Sequence, residues 1–452
     1  MIPRFRLAPD LLLLVGAVLV PSLVQAQQPG PRDTLRLDTA VQRALDDNRQ
    51  ARIARREVDI AENNVSLGNA GFLPTLTGQA NYSRSRTSSD QTFLTGETQS
   101  TDGAQSTESS AGIDLRWTVF DGLQPFATYD RLGAERDRQA AATTEEIEAL
   151  VADVIDGYYD VARRQQQLDV LREAVSISRE RLRIVKLRRK LGSASDLQVR
   201  QARVDLNADS AAVLRQQTEL VNAKSRLNRL LGRSGDASVR YAVTSSIAVD
   251  TSLGYAPLRQ TALRKSPALR QARGALQVAN AEIRETRADF FPTVDLTAGY
   301  GYSRLDAESG FLQRSNSTDF SYGVSLAFDL FNGLNRWRRT QNAEIRATNA
   351  RLAVEDVRAR LTTELTSAYE RYRNRLRLVT LERQNRNAVQ ANVDVALEQF
   401  EVGTITSVEL REVQEQFIQA ESRLLAAQFE AKQAEVELLR LSGQLLDRYG
   451  GM

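Results

Sequence analysis

Residues 293–303 read TVDLTAGYGYS, and residues 75–83 read TLTGQANYS. In the first, Val294, Leu296, Ala298, Tyr300 and Tyr302 alternate with mostly polar or Gly positions. In the second, Leu76, Gly78, Ala80 and Tyr82 alternate with Thr75, Thr77, Gln79, Asn81 and Ser83. A period of two marks a strand with one apolar face. Two further segments share it: Ala111, Ile113, Leu115, Trp117 and Val119, then Phe320, Tyr322, Val324, Leu326, Phe328 and Leu330. Each is about ten residues long, which is the length and pattern of a transmembrane barrel strand with lipid on one face and a polar lumen on the other. Thr75, Thr77, Gln79, Asp295 and Thr297 then face the lumen. A small water-soluble sandwich has the same alternation, but nothing else in the chain offers to bury these faces. Four strands do not close a barrel, since about eight is the small end. An open edge in lipid leaves backbone groups unpaired. The pattern therefore calls for a barrel shared between chains in a symmetric ring, and it leaves their number open.

The rest of the chain is written with a different period. From Leu334 to Val402 there is neither Gly nor Pro, and Val354, Val357, Leu361, Leu365, Ala368, Tyr372, Leu376 and Val379 recur at three and four. Ile147, Val151, Val154, Tyr158, Val161, Leu168, Leu171, Val175 and Leu182 do the same. Such a run predicts a helix roughly 100 Å long at 1.5 Å per residue. A helix of that length with one narrow seam packs lengthwise as a coiled coil. Taken alone, this part also suits a soluble rod.

The chain repeats itself. VFDG (119–122) matches LFNG (330–333), LGSAS (191–195) matches VGTIT (402–406), and RLNRLLG (226–232) matches ELLRLSG (437–443), all 211 positions apart. NAGFLPTL (69–76) matches RADFFPTV (287–294) at 218 positions. The seven extra residues are placed in TSSDQTFLTGETQSTDGAQSTESS (87–110), a polar stretch expected to be a loop, with LDAESGFLQRSNST (305–318) as its shorter counterpart. The reading is a signal peptide over 1–26, one repeat over 27–232, a linker over 233–257, a second repeat over 258–443 and a tail over 444–452. Pro74 and Pro292 stop helices before strands. Gly122 and Gly333 mark the return to helix. Gly192 and Gly403 sit where a long helix ends in a left-handed residue. Ser195 with Gln198, and Thr406 with Glu409, have capping-box spacing. Each long helix is thus expected to stop, turn and start again as a helical hairpin. Segments 36–70 and 258–289 are short enough to stack end to end on the returning helices 196–231 and 408–441.

Composition removes several functions. The 452 residues include no His and no Cys, which excludes His-based triads, thiol nucleophiles and the usual zinc or haem ligand sets. No cofactor is expected, and no candidate active site stands out. Sixty basic residues against 57 acidic ones are spread along the chain, so nucleic-acid binding is not indicated. Arg4 and Arg6 precede the ten apolar residues LLLLVGAVLV (11–20), and VQA ends at Ala26. This reads as an export signal cleaved after Ala26, too short to span a bilayer.

With FLPTL and FFPTV before the strands, VFDG and LFNG after them, and LGS and VGT at the helical turns, the chain resembles the TolC-like outer membrane efflux proteins. The resemblance spans nearly all of the chain after the export signal. It implies a mixed α and β membrane protein in which four strands per chain make a twelve-stranded barrel in a homotrimer. Below the barrel it implies a long periplasmic coiled-coil tunnel. It implies a passive exit duct, not an enzyme, for an efflux pump or type I secretion system. Its partners would be a periplasmic adaptor (membrane fusion protein), an inner-membrane transporter of RND, ABC or MFS type, and outer-membrane lipid. A barrel-anchored trimeric stalk with a structural or adhesive role is the alternative.

The same resemblance assigns the tips Leu191, Gly192 and Ser193, and Val402, Gly403 and Thr404, to adaptor contact. Tight turns alone would also use these residues. It assigns Glu409 and Glu412 to an acidic ring at the closed aperture, where three-fold symmetry makes six carboxylates that attract cations. A capping acid and a solvated helix face account for the same two residues. The family's gate has a Tyr before the tip Gly and an Arg after it, whereas this chain has Phe400 and Ile405. The polar latch is absent, so closure is expected to rest on packing or other contacts.

Overall fold

The computed structural model describes residues 33–233, 241–310 and 312–450. The expected export signal therefore lies outside the described residues, as does the linker part 234–240. The chain runs β1 (Asp33–Leu35), α1 (Leu37–Asp47), α2 (Arg49–Asn64), α3 (Leu67–Ala70), β2 (Thr75–Thr92) and β3 (Thr98–Asp121). The helical hairpin α4 (Gln124–Lys190) and α5 (Asp196–Leu230) follows. Then come β4 (Tyr241–Val243), α6 (Tyr255–Lys265), α7 (Pro267–Ala288), β5 (Thr293–Ala307) and β6 (Arg314–Ala327). A second hairpin, α8 (Asn335–Val402) and α9 (Ser407–Leu441), precedes the short α10 (Leu445–Tyr449).

The long strands form one antiparallel sheet in the order β2-β3-β5-β6. Its register sets Leu76, Leu115, Ala298 and Tyr322 in one cross-strand row, and Gly78, Ile113, Tyr300 and Phe320 in the next. Directly opposed residues share a face, so the alternating apolar residues gather on one side. The other side carries Thr77, Asp114, Gly299 and Ser321 in one row, with Gln79 Nε2 donating to Asp114 at 2.8 Å. No second layer covers the apolar face: Tyr322 is 82% exposed and Leu326 69%. The outer strands β2 and β6 each leave one edge unpaired.

The loop expected over 87–110 is corrected. β2 and β3 run 18 and 24 residues, pair through to Thr92 and Thr98, and leave only 93–97 as the turn. Ser and Thr on both faces erase the alternation, yet they pair across the hairpin. Ser85 and Ser106 hydroxyls meet at 2.8 Å, and Arg86 Nε donates to the Gly103 carbonyl at 3.0 Å. β5 and β6 are 15 and 14 residues, again longer than ten. β6 ends at Ala327, so Phe328 and Leu330 lie beyond the sheet.

α4 and α8 are 67 and 68 residues long, while α5 and α9 are 35 each. In the hairpin half, α5 packs on α4, α4 on α9 and α9 on α8. In the half nearer the sheet, α2 packs on α4, α4 on α7 and α7 on α8. The short helices continue the returning ones. Asn48 Nδ2 donates to the Leu230 carbonyl at 2.8 Å where α5 ends and α2 begins. A Cβ on Gly443 would lie 2.7 Å from the Lys265 carbonyl, where α9 meets α7. Near this level the expected segments 36–70 and 258–289 are each broken, and 36–70 is broken again at Val65–Ser66 before α3. The Asn48 side chain accepts from Gln50 and Ala51 and restarts the helix as α2. Pro267 lacks the N–H that would continue α6, and opens α7. The largest core lies here too, where Tyr158, Val154, Leu227, Tyr241 and Leu439 pack together. The Tyr158 hydroxyl donates to the Leu35 carbonyl at 3.0 Å and accepts from Thr244 N–H at 3.1 Å, which anchors β1 and β4 to α4. Among the described residues no helix is long and apolar enough to cross a membrane.

β3 and β6 each lead to a long helix through two consecutive left-handed residues, Gly122–Leu123 and Gly333–Leu334. At Gly122 the turn is crowded, since a Cβ would sit 2.4 Å from the Ala288 carbonyl. At Gly333 the nearest atom is 3.8 Å away. Gly122→Ala is therefore expected to destabilise by about 2–3 kcal/mol, and Gly333→Ala by about 1 kcal/mol for its positive φ alone. Thermal unfolding midpoints in detergent would rank them in that order; equal losses would contradict the close approach.

Candidate functional site: the joined helical tips

Both helical turns form from local chemistry. At the first, Gly192 has φ +82°, its N–H donates to the Arg189 carbonyl at 3.0 Å, and Ser193 N–H donates to the Arg188 carbonyl at 2.8 Å. Ser195 caps α5 in a complete capping box with Gln198. At the second, Gly403 has φ +91°, and the N–H groups of Gly403 and Thr404 both donate to the Gln399 carbonyl, at 3.0 and 2.9 Å. Thr406 and Glu409 complete the second box. These bonds satisfy end-of-helix groups that would otherwise stay unpaired.

The two turns share one end of the molecule. Phe400 is fully buried among Leu182, Val185, Val199, Ala202, Ala396 and Leu410, drawn from all four long helices. Ile405 packs half-buried on this cluster. The predicted tip residues Leu191, Gly192, Ser193, Val402, Gly403 and Thr404 are all exposed beyond it. Leu191 and Val402 present 75% and 78% of their surface, an apolar display at a helix end. Glu409 and Glu412 are exposed one turn into α9 and three residues apart, hence on one face. Hydrogen bonding from the Thr406 backbone and hydroxyl holds the Glu409 carboxyl below the usual range. Glu409 is therefore a charged cap at neutral pH.

A contact that no sequence motif announces joins the two hairpins at this end. Arg188, on the first hairpin, donates to the Phe400 carbonyl on the second. Its guanidinium also lies over the Phe400 ring, 4.7 Å from the centroid. A second tie lies deeper. Arg181 bonds Asp205, and its other nitrogen donates to the Ser407 carbonyl at 3.4 Å. Below that, Asp209 of α5 accepts from Arg411 of α9 at 2.7 Å and from Gln414 at 3.2 Å. Gln414 in turn donates to the Ala174 carbonyl of α4 at 2.8 Å. Burial pushes the Arg411 guanidinium down, but its bonds to Asp209 and Glu415 more than offset this and raise it. The basic run RERLRIVKLRRK (179–190) was the only hint in the sequence, and it does not say which arginine turns inward.

With this geometry in place, the comparisons are specific. The model of the outer membrane efflux protein family matches residues 40–233 and 258–444. The chain belongs to that family. Outer membrane efflux protein BepC of Brucella suis is 23% identical over 437 residues, covering 96% of this chain and 90% of the relative. Cation efflux system protein CusC of Escherichia coli is 28% identical, covering 68% of this chain and 64% of the relative. The crystal structure of the Campylobacter jejuni CmeC outer membrane channel superposes with a TM-score of 0.73 at 16% identity, over 90% of this chain and 85% of that one.

Arg188→Ala removes both the carbonyl bond and the ring contact. A loss of about 1–2 kcal/mol is expected, read as roughly a tenfold faster amide exchange over residues 396–410. Unchanged exchange would show that the apolar cluster joins the hairpins unaided.

Proposed function

We propose that three copies of this chain form a passive exit duct through the outer membrane, serving an efflux pump or a type I secretion system. One observation carries this reading. A single-layered sheet with a bare apolar face and two open edges continues directly into helices whose far ends meet as exposed tips. Lipid covers the bare face, and neighbouring copies pair the edges, giving twelve strands in a trimer. The polar face then lines a water-filled lumen. The helices carry the lumen into the periplasm.

In this reading the chain holds two tandem repeats of one plan, 27–232 and 258–443, joined by 233–257. Leu191, Gly192, Ser193, Val402, Gly403 and Thr404 meet the helical hairpin of a periplasmic adaptor. The adaptor couples them to an inner-membrane transporter of RND, ABC or MFS type. Energy comes from that transporter. Glu409 and Glu412 from three copies ring the aperture.

Two measurements test the reading. A photo-crosslinker on Thr404→Cys in living cells is expected to capture a periplasmic adaptor. Capture of neighbouring copies alone, with efficient labelling, would favour a stalk. Glu409→Gln with Glu412→Gln is expected to lower cation preference in single-channel recordings. Unchanged selectivity would remove both residues from the aperture.

A further inference from the structure

Where α9 ends and α7 begins, these two helices meet α4 and α8 around a cavity of about 260 Å3. α4 supplies Glu145 and Glu148, α7 supplies Pro267 with Ser266 just before it, α8 supplies Leu361 and α9 supplies Leu441. Two of these side chains are polar and almost fully buried: Glu148 and Ser266 are each 3% exposed. Ser266 opens α7 without capping it. Among the described residues neither side chain has a hydrogen-bond partner, and Glu148 has no ion pair. Buried polar groups are nearly always satisfied, and a buried carboxylate left alone is costly. Both groups border open space in the cavity, so a bound molecule can supply what the protein does not.

The surrounding charges define that molecule. Arg440 of α9 lines the cavity but is already engaged, since Nε and a terminal nitrogen both donate to Glu437 at 2.9 Å. Arg360 and Glu364 of α8 also line it. Arg270 of α7 and Asp447 of α10 act on Glu148 from outside the lining, and Asp447 is itself paired with Lys265 at 2.6 Å. Three carboxyl groups, Glu145, Glu148 and Glu364, thus stand against one lining arginine without an ion pair among the described residues, which favours a cation. A metal ion does not suit them, because among the described residues no three acidic side chains are grouped to hold one. The remaining wall is apolar, with Val357, Leu361 and Leu441. The volume lies just below the roughly 300–1,000 Å3 of ordinary small-molecule pockets, so the ligand is small. Burial pushes the Glu148 carboxyl up to about 7, with Arg270 and Arg440 offsetting only part of the effect.

We propose that this cavity binds a small primary ammonium compound with an apolar body, its ammonium donating to the Glu148 carboxylate and the Ser266 hydroxyl and its hydrocarbon lying against Leu361 and Leu441. An ammonium carries three donors and no acceptor, which matches two unpartnered acceptors with Glu145 beside them. The charge-assisted bond to Glu148 is the strong one. The bound compound touches α4, α7, α8 and α9 at the level where the returning helix changes from α9 to α7. Every lining residue comes from one chain, so the site does not rest on the ring reading above.

The test is isothermal titration of the full-length protein, purified in detergent, with isobutylamine, cyclohexylamine and phenethylamine, and with cyclohexanol as the neutral control. Saturable binding of at least one amine is expected, and none of cyclohexanol. Glu148→Gln keeps the side chain's shape and is expected to weaken binding at least about tenfold. Ser266→Ala is expected to weaken it about threefold. The amine binds the ionised carboxylate, so affinity is expected to fall about tenfold from roughly pH 8 to roughly pH 6, across the Glu148 value of about 7, while the amines stay protonated. Native mass spectrometry checks that each variant keeps the wild-type particle; if Glu148→Gln does not, Ser266→Ala and the pH series decide. No saturable binding of any of the three amines, equal binding of cyclohexanol, or unchanged affinity in the native variants would overturn the site. Each of these results would leave the duct reading standing.

Discussion

One constraint governs the sheet: the backbone groups along the outer edges of β2 and β6 have no partner strand within the chain. A strand edge in hydrocarbon leaves N–H and C=O groups without partners, at several kcal/mol each. The four-stranded sheet has two such edges and an apolar face with no covering layer. The proposed ring would supply the missing partners in a membrane.

Length and break points convert this constraint into a device. Helices of 67 and 68 residues reach far from the sheet. Where the helices turn back, Gly192 and Gly403 and two capping boxes end one helix and begin the next within a few residues. The tips are therefore fixed locally, while their mutual position is set by Phe400 in its cluster and by Arg188 across it. A shift of one hairpin against the other breaks these contacts without unfolding either turn.

Features governed by residues close in sequence were legible before any coordinates. Alternation at 75–83 and 293–303 located the strands, and Ser195–Gln198 and Thr406–Glu409 located the helix starts. The polar upper hairpin was not legible, because Ser and Thr on both faces leave no period to detect. Nor were the breaks at Asn48 and Ser266–Pro267, since a capping Asn or an early Pro also suits a continuing chain. The Arg188–Phe400 contact joins residues 212 positions apart and belongs to no spacing rule. The departure from the family's latch at Phe400 and Ile405 was visible, but the burial of Phe400 among four helices was not.

The central claim is that the chain works as one third of a closed ring. The most direct measurement is the mass of the particle extracted from outer membranes in mild detergent. The account predicts three chains, with no significant population of one or two. A folded single chain in the outer membrane, with β2 and β6 unpaired, would contradict it.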